Sequence, residues 1–132
     1  MAFVYLDIVT RHIRLMTNDI VLCGITTCET VRKARKWLEG QGIAFVYHDL
    51  RKDGLSEPDL TAWVKAVGWE ALLNRSGTTF RKLPDADKQV TTEAQAVSLM
   101  LTHPTVIKRP VLVRGDTVTL GFKPELYEKI FS

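Results

Sequence analysis

The chain has 132 residues, 45% hydrophobic and 25% charged, which suits a single domain with its own hydrophobic core. A net charge of +3 is compatible with small anions and falls short of the basic surfaces that bind nucleic acid. Two cysteines make no disulfide framework, which points to a reducing, cytoplasmic setting, and the apolar stretches are far too short to span a bilayer. A monomer is expected, with no metal site and neither nucleic acid nor membrane as partner.

Residues 1–17 fit the rest of the chain poorly and are taken as an N-terminal extension to one domain over 18–132. They do not look like a signal peptide: Asp7 interrupts the apolar stretch, bases come after rather than before it, and no small-residue cleavage site appears. Val4 to Val9 suits either an added strand or a short helix.

Ile20 to Cys23 reads as a short apolar strand, and Gly24-Ile-Thr-Thr as a small-residue turn. Cys28 then stands at the start of an amphipathic helix, with Val31, Ala34 and Leu38 at helical spacing and Arg32, Lys33, Arg35 and Lys36 on the remaining surface. Backbone N–H groups without partners and the positive end of the helix dipole favour an anion there, and a thiolate is one. Arg32, one turn on, adds a cation on the same side. Glu29 opposes a second negative charge, and its expected partner is Lys33, four residues on. Cys23 ends the apolar run and is read as a core residue. Cys28 is the candidate nucleophile.

Gly40 and Gly42 stop the helix near residue 41, and Ile43 to His48 is a second, β-rich strand. A helix of this length between two strands of one sheet implies a parallel, right-handed crossover. Asp49 to Leu55 is a polar loop. Ser56-Glu57-Pro58-Asp59 opens a helix with the stripe Leu60, Trp63, Val64 and Val67, ended by Gly68. Trp69 to Leu73 adds a helical turn or two, and Asn74 to Thr79 is a polar loop. Thr91 or Thr92 caps the next helix, with Ala94, Val97, Met100 and Leu101 as its apolar positions and Pro104 as its limit. Arg109-Pro110 leads into a strand from Val111 to Val113. Arg114-Gly115-Asp116-Thr117 is a two-residue hairpin turn, and Val118 to Leu120 return antiparallel. Pro124 opens a last helix bearing Leu126, Tyr127, Ile130 and Phe131. The order βαβ, helical segment, ββα is that of an α/β, thioredoxin-like mixed four-stranded sheet, with flanking helices and a helical insertion over about residues 56–103.

Gly24-Ile-Thr-Thr-Cys28, Arg32 to Leu38, Trp69-Glu-Ala-Leu-Leu-Asn-Arg75 and Ile107-Lys-Arg-Pro110 together resemble the ArsC/Spx family, most nearly its YffB branch. The resemblance covers about residues 18–131. It implies a single nucleophilic cysteine, Cys28, and an anion- or glutathione-binding surface made by Thr27, Arg32, Arg75, Arg109, Pro110 and Lys123. Arg109 falls on the arginine before the family's cis-proline, here Pro110. The carry-over is partial, because the basic residue after Leu72-Leu73 is displaced to Arg75, Lys123 stands nearest the last reductase arginine, and Gly24 replaces a histidine. A lysine keeps the charge and loses the arginine fork. The resemblance therefore implies a thiol-dependent reductase with glutathione as co-substrate and glutaredoxin as a further partner, no cofactor being bound. Small thiols or oxyanions are the substrate classes. An Spx-like regulator that binds RNA polymerase is the alternative, although Val31 occupies the second position of that group's Cys-x-x-Cys switch. A catalytically idle family member is a third possibility.

Overall fold

A computed structural model describes residues 20–132. The extension expected over 1–17, with its strand-or-helix stretch at Val4 to Val9, lies outside the described residues. Strand β1, Ile20–Gly24, leads through a four-residue loop into helix α1, Glu29–Gly40, and the chain returns in β2, Val46–Asp49. β2 pairs parallel to β1, with Gly24 opposite Asp49. β3, Val111–Arg114, runs antiparallel to β1, with Cys23 opposite Val111, and β4, Thr117–Leu120, pairs antiparallel to β3. The sheet order is β2-β1-β3-β4. This is the thioredoxin-like mixed sheet that the element order implies.

Between β2 and β3 the chain forms α2, Glu57–Val67, the short α3, Trp69–Leu72, and α4, Thr78–Arg81. A 3-10 turn at Asp85–Lys88 and helix α5, Glu93–Thr102, complete the insertion. A second 3-10 turn at Pro104–Val106 leads to β3, and α6, Pro124–Phe131, closes the chain.

Strand side chains alternate between faces, and here each face has its own core. Leu22 and Leu112 pack with Ala34, Leu38 and Tyr127 beneath α1 and α6. Cys23 and Val111 pack on the opposite face with Leu60, Trp63, Leu72, Met100 and Ile107 of the inserted segment and its return. The insertion is thus the second half of the sandwich around the sheet. No helix among the described residues is long and apolar enough to cross a membrane.

Boundaries differ from expectation where a helix terminus or a cap decides them. β2 begins at Val46 rather than Ile43, because the Ile43 amide still donates to the Leu38 carbonyl at 3.0 Å and Gly42, at φ 70°, turns the chain there. Thr92 is the cap of α5: its hydroxyl accepts the Gln95 amide while the Gln95 side chain accepts the Thr92 amide. That start turns Ala96, Leu99 and Met100 inward, leaves Val97 and Leu101 half-buried, and places Ala94 in solvent. Leu126 is likewise 37% exposed, since Tyr127 takes the central position of α6. Phe80 and Val90, in a region with no periodic signal, are core residues.

Candidate functional site

Three contacts set how the chain turns from β1 into α1. At the end of β1, a Cβ built on Gly24 would lie 2.6 and 2.7 Å from the two methyl carbons of Val31. Only a residue without a side chain lets the helix approach this closely. In the loop itself, the Cys28 amide donates to the Ile25 carbonyl at 2.9 Å. At the helix start, Cys28 is the N-cap residue in extended conformation (φ −79°, ψ 124°), and its carbonyl accepts the Arg32 amide at 3.0 Å. Cys28 is half-buried, whereas Cys23 is 3% exposed within β1. We expect Gly24→Ala to cost about 1–3 kcal/mol, the usual range for overpacking a filled core. Urea denaturation would read it, and an unchanged midpoint would show that Val31 yields.

A fourth contact comes from Asp49, which the sequence alone places in a polar loop. Asp49 is 8% exposed at the end of β2. One carboxylate oxygen accepts the Thr26 hydroxyl at 2.7 Å and the Thr26 amide at 3.3 Å. The other accepts the amides of Arg51 and Lys52 at 2.9 and 3.0 Å. These donors, the Thr26 hydroxyl foremost, lower its pKa from 3.8 to about 2 against the opposing effect of burial. Because the folded value lies below the unfolded one, the ionised carboxylate stabilises the fold fully above about pH 4, and that contribution disappears as pH falls towards 2. Asp49→Asn is therefore expected to lose about 1–3 kcal/mol near neutral pH. Urea midpoints of the two proteins should converge as pH approaches 2, and a constant gap would refute the assignment.

The register places the other expected residues at the same end of the sheet. Cys23 faces Val111, and Val111 faces Leu120, so the segments before β3 and after β4 lie at the same sheet end as the Cys28 loop, the first beside it and the second one strand further out. The Arg109–Pro110 bond is cis, Pro110 is buried, and its carbonyl accepts the Gly121 amide at 2.9 Å. Arg109 Nη1 donates to the Thr105 carbonyl at 2.7 Å, while its Nε is buried with no hydrogen-bond partner among the described residues. Lys123 is exposed and is the N-cap residue of α6, and Thr27 is exposed beside Cys28.

Two of the expected cations are engaged elsewhere. Arg32 Nη2 bonds Glu29 Oε2, so Glu29 pairs with Arg32 and not with Lys33. The longer reach of the arginine fork at three residues' spacing satisfies that carboxylate. Arg75 donates to the Val90 carbonyl at 2.8 Å, with its guanidinium 5.8 Å from the Phe80 ring centroid. It is tied within the insertion, although the Leu73–Ile107 bridge brings the neighbouring chain against the segment leading to Arg109. Among the described residues, no three His, Cys, Asp or Glu side chains form a group that could hold a metal ion.

A mixed sheet of this order, with a cysteine capping the first helix and a cis-proline entering the third strand, defines a thioredoxin-like protein with its insertion between strands two and three. The chain belongs to the ArsC family, whose model matches residues 23–130. A YffB protein of known structure is 44% identical, with a TM-score of 0.82 over 86% of this chain and 99% of that one. An arsenate reductase (ArsC) related protein from Brucella melitensis is 46% identical, with a TM-score of 0.69 over 86% of this chain and 95% of the other. The global transcriptional regulator Spx of Streptococcus mutans is 25% identical over 101 residues, 75% of this chain and 73% of its own.

Proposed function

We propose that the protein is a thiol-dependent, glutathione-linked reductase in which Cys28 is the single nucleophile. The Cys28 thiolate attacks the glutathionyl sulfur of a mixed disulfide, and the substrate sulfur leaves as a thiolate that takes a proton from water. A second glutathione, as thiolate, then attacks the glutathionyl sulfur bound to Cys28, releasing oxidised glutathione and restoring the Cys28 thiolate. The observation that carries this reading is the position of Cys28: half-exposed at the N-terminus of α1, at the sheet end that also holds Arg109 and the cis Pro110. Arg109, Lys123 and Thr27 are the groups for the carboxylates of glutathione, and glutaredoxin is a candidate protein partner.

Arsenate reduction is expected to be weak or absent. A tetrahedral oxyanion asks for several paired donors. Arg75 is tied to the Val90 carbonyl, and Lys123 offers a charge without a fork. Turnover on arsenate and on a glutathione mixed disulfide, compared in one preparation, tests the ranking. Robust arsenate reduction with no disulfide activity would reverse it. Silence on both substrates favours an Spx-like regulator or an idle family member. The fully buried Val31 at the second switch position weighs against a cysteine-pair switch of that kind.

A further inference from the structure

We propose that Asp49 is a positioning residue for Cys28, acting through Thr26. This rests on Cys28 being the reacting group.

The carboxylate accepts two hydrogen bonds from Thr26, two residues before Cys28, and two from the backbone of the loop after β2. Leu50 adds a backbone bond across the same junction, its amide donating to the Gly24 carbonyl at 2.8 Å. The entry and the middle of the Cys28 loop are therefore held: Gly24 by Leu50 and Val31, Thr26 by Asp49. Asp49 is ionised and can only accept, so the Thr26 hydroxyl spends its single proton on it. Tyr47 Oη, 3.4 Å from Thr26 Oγ1, must then be the donor in that contact. The order Tyr47 to Thr26 to Asp49 is fixed by the charge at its end.

A thiolate at a helix N-terminus is stabilised only while its sulfur stays aligned with the N–H groups of the first turn. Cys28 caps α1 without a hydrogen bond from its own side chain, so the backbone path sets where its sulfur lies over that turn, and the Thr26 tie limits how far the path moves. The Asp49 charge itself disfavours a neighbouring thiolate. Its value to the site is mechanical, and removing the charge would mix two opposite effects.

Thr26→Val separates them, because it deletes the hydroxyl and keeps the carboxylate. We expect iodoacetamide to alkylate Cys28 about threefold to tenfold more slowly in folded Thr26→Val, the equivalent of one lost hydrogen bond. Thr26→Ser, which retains the donor, should return the rate to that of the unaltered protein, a rescue that a merely structural loss of the threonine methyl would not give. An unaltered rate in Thr26→Val, or a serine variant as slow as the valine one, overturns the proposal. Should Thr26→Val not fold, hydrogen exchange on the unaltered protein decides. Protection of the Thr26 amide equal to that of Leu50 supports the tie, and exchange at an unprotected rate overturns it. Alkylation needs no substrate, so absence of disulfide turnover would sink the reductase reading and leave this test standing.

Discussion

Cys28→Ser is expected to abolish glutathione-dependent disulfide reduction and leave the fold intact. The thiolate is the attacking species in thiol–disulfide exchange, and a serine hydroxyl does not ionise in the accessible pH range. Cys28 is half-buried and packs only at the margin of the insertion-side core, so the sulfur-to-oxygen change removes little packing. Cys23 cannot stand in for it. Its side chain is 3% exposed inside β1, whose neighbours on either side are β2 and β3. Iodoacetamide should accordingly label Cys23→Ser at the rate of the unaltered protein and label folded Cys28→Ser hardly at all. Turnover in Cys28→Ser near that of the unaltered protein, or labelling concentrated on Cys23, would remove Cys28 from its role.

Local signals are legible wherever one chemical requirement dominates. Val31, Ala34 and Leu38 mark the buried face of α1, and all three are fully buried. Ser56 caps α2 through the Asp59 amide, and Gly115 turns the β3–β4 hairpin at φ 60°. The cis state of Arg109–Pro110 is legible only through the family resemblance, because X–Pro bonds in general are cis only about 5–6% of the time. Asp49 is not legible, for a physical reason. Aspartate is rarely buried, and the donors that permit it here are two backbone amides and a threonine 23 residues earlier in the chain. The Thr26-Thr27 pair gives no sign of which hydroxyl faces the carboxylate. Charged partners are the other weak point. Glu29 has Arg32 and Lys33 both within reach, and Arg75 meets a backbone carbonyl, which no spacing rule announces.

The contrast between the two arginines supplies the second large effect. Arg109→Ala is expected to raise KM for a glutathione mixed disulfide by more than tenfold, with a smaller change in kcat. Arg75→Ala should leave KM nearly unchanged and lower stability instead. Arg109 has one donor bonded to the Thr105 carbonyl and a buried Nε with no partner among the described residues, at the sheet end that carries Cys28 and Pro110. A buried donor left unsatisfied costs about 1–3 kcal/mol, which a carboxylate or oxyanion would relieve once the half-buried side chain shifts to expose it. Losing a buried charged partner typically weakens binding by about 2–5 kcal/mol, and even the lower figure exceeds tenfold. Arg75 already spends its fork on the Val90 carbonyl and the Phe80 face, so its loss loosens the insertion. Arg109→Lys serves as the control for charge alone and should fall between the unaltered protein and alanine, since lysine lacks the paired donors. Steady-state kinetics on the three variants, with urea midpoints measured alongside, separate binding from folding. Equal KM penalties at positions 75 and 109 would move the anion site towards the insertion. An unaffected Arg109→Ala would leave its buried Nε without a functional account.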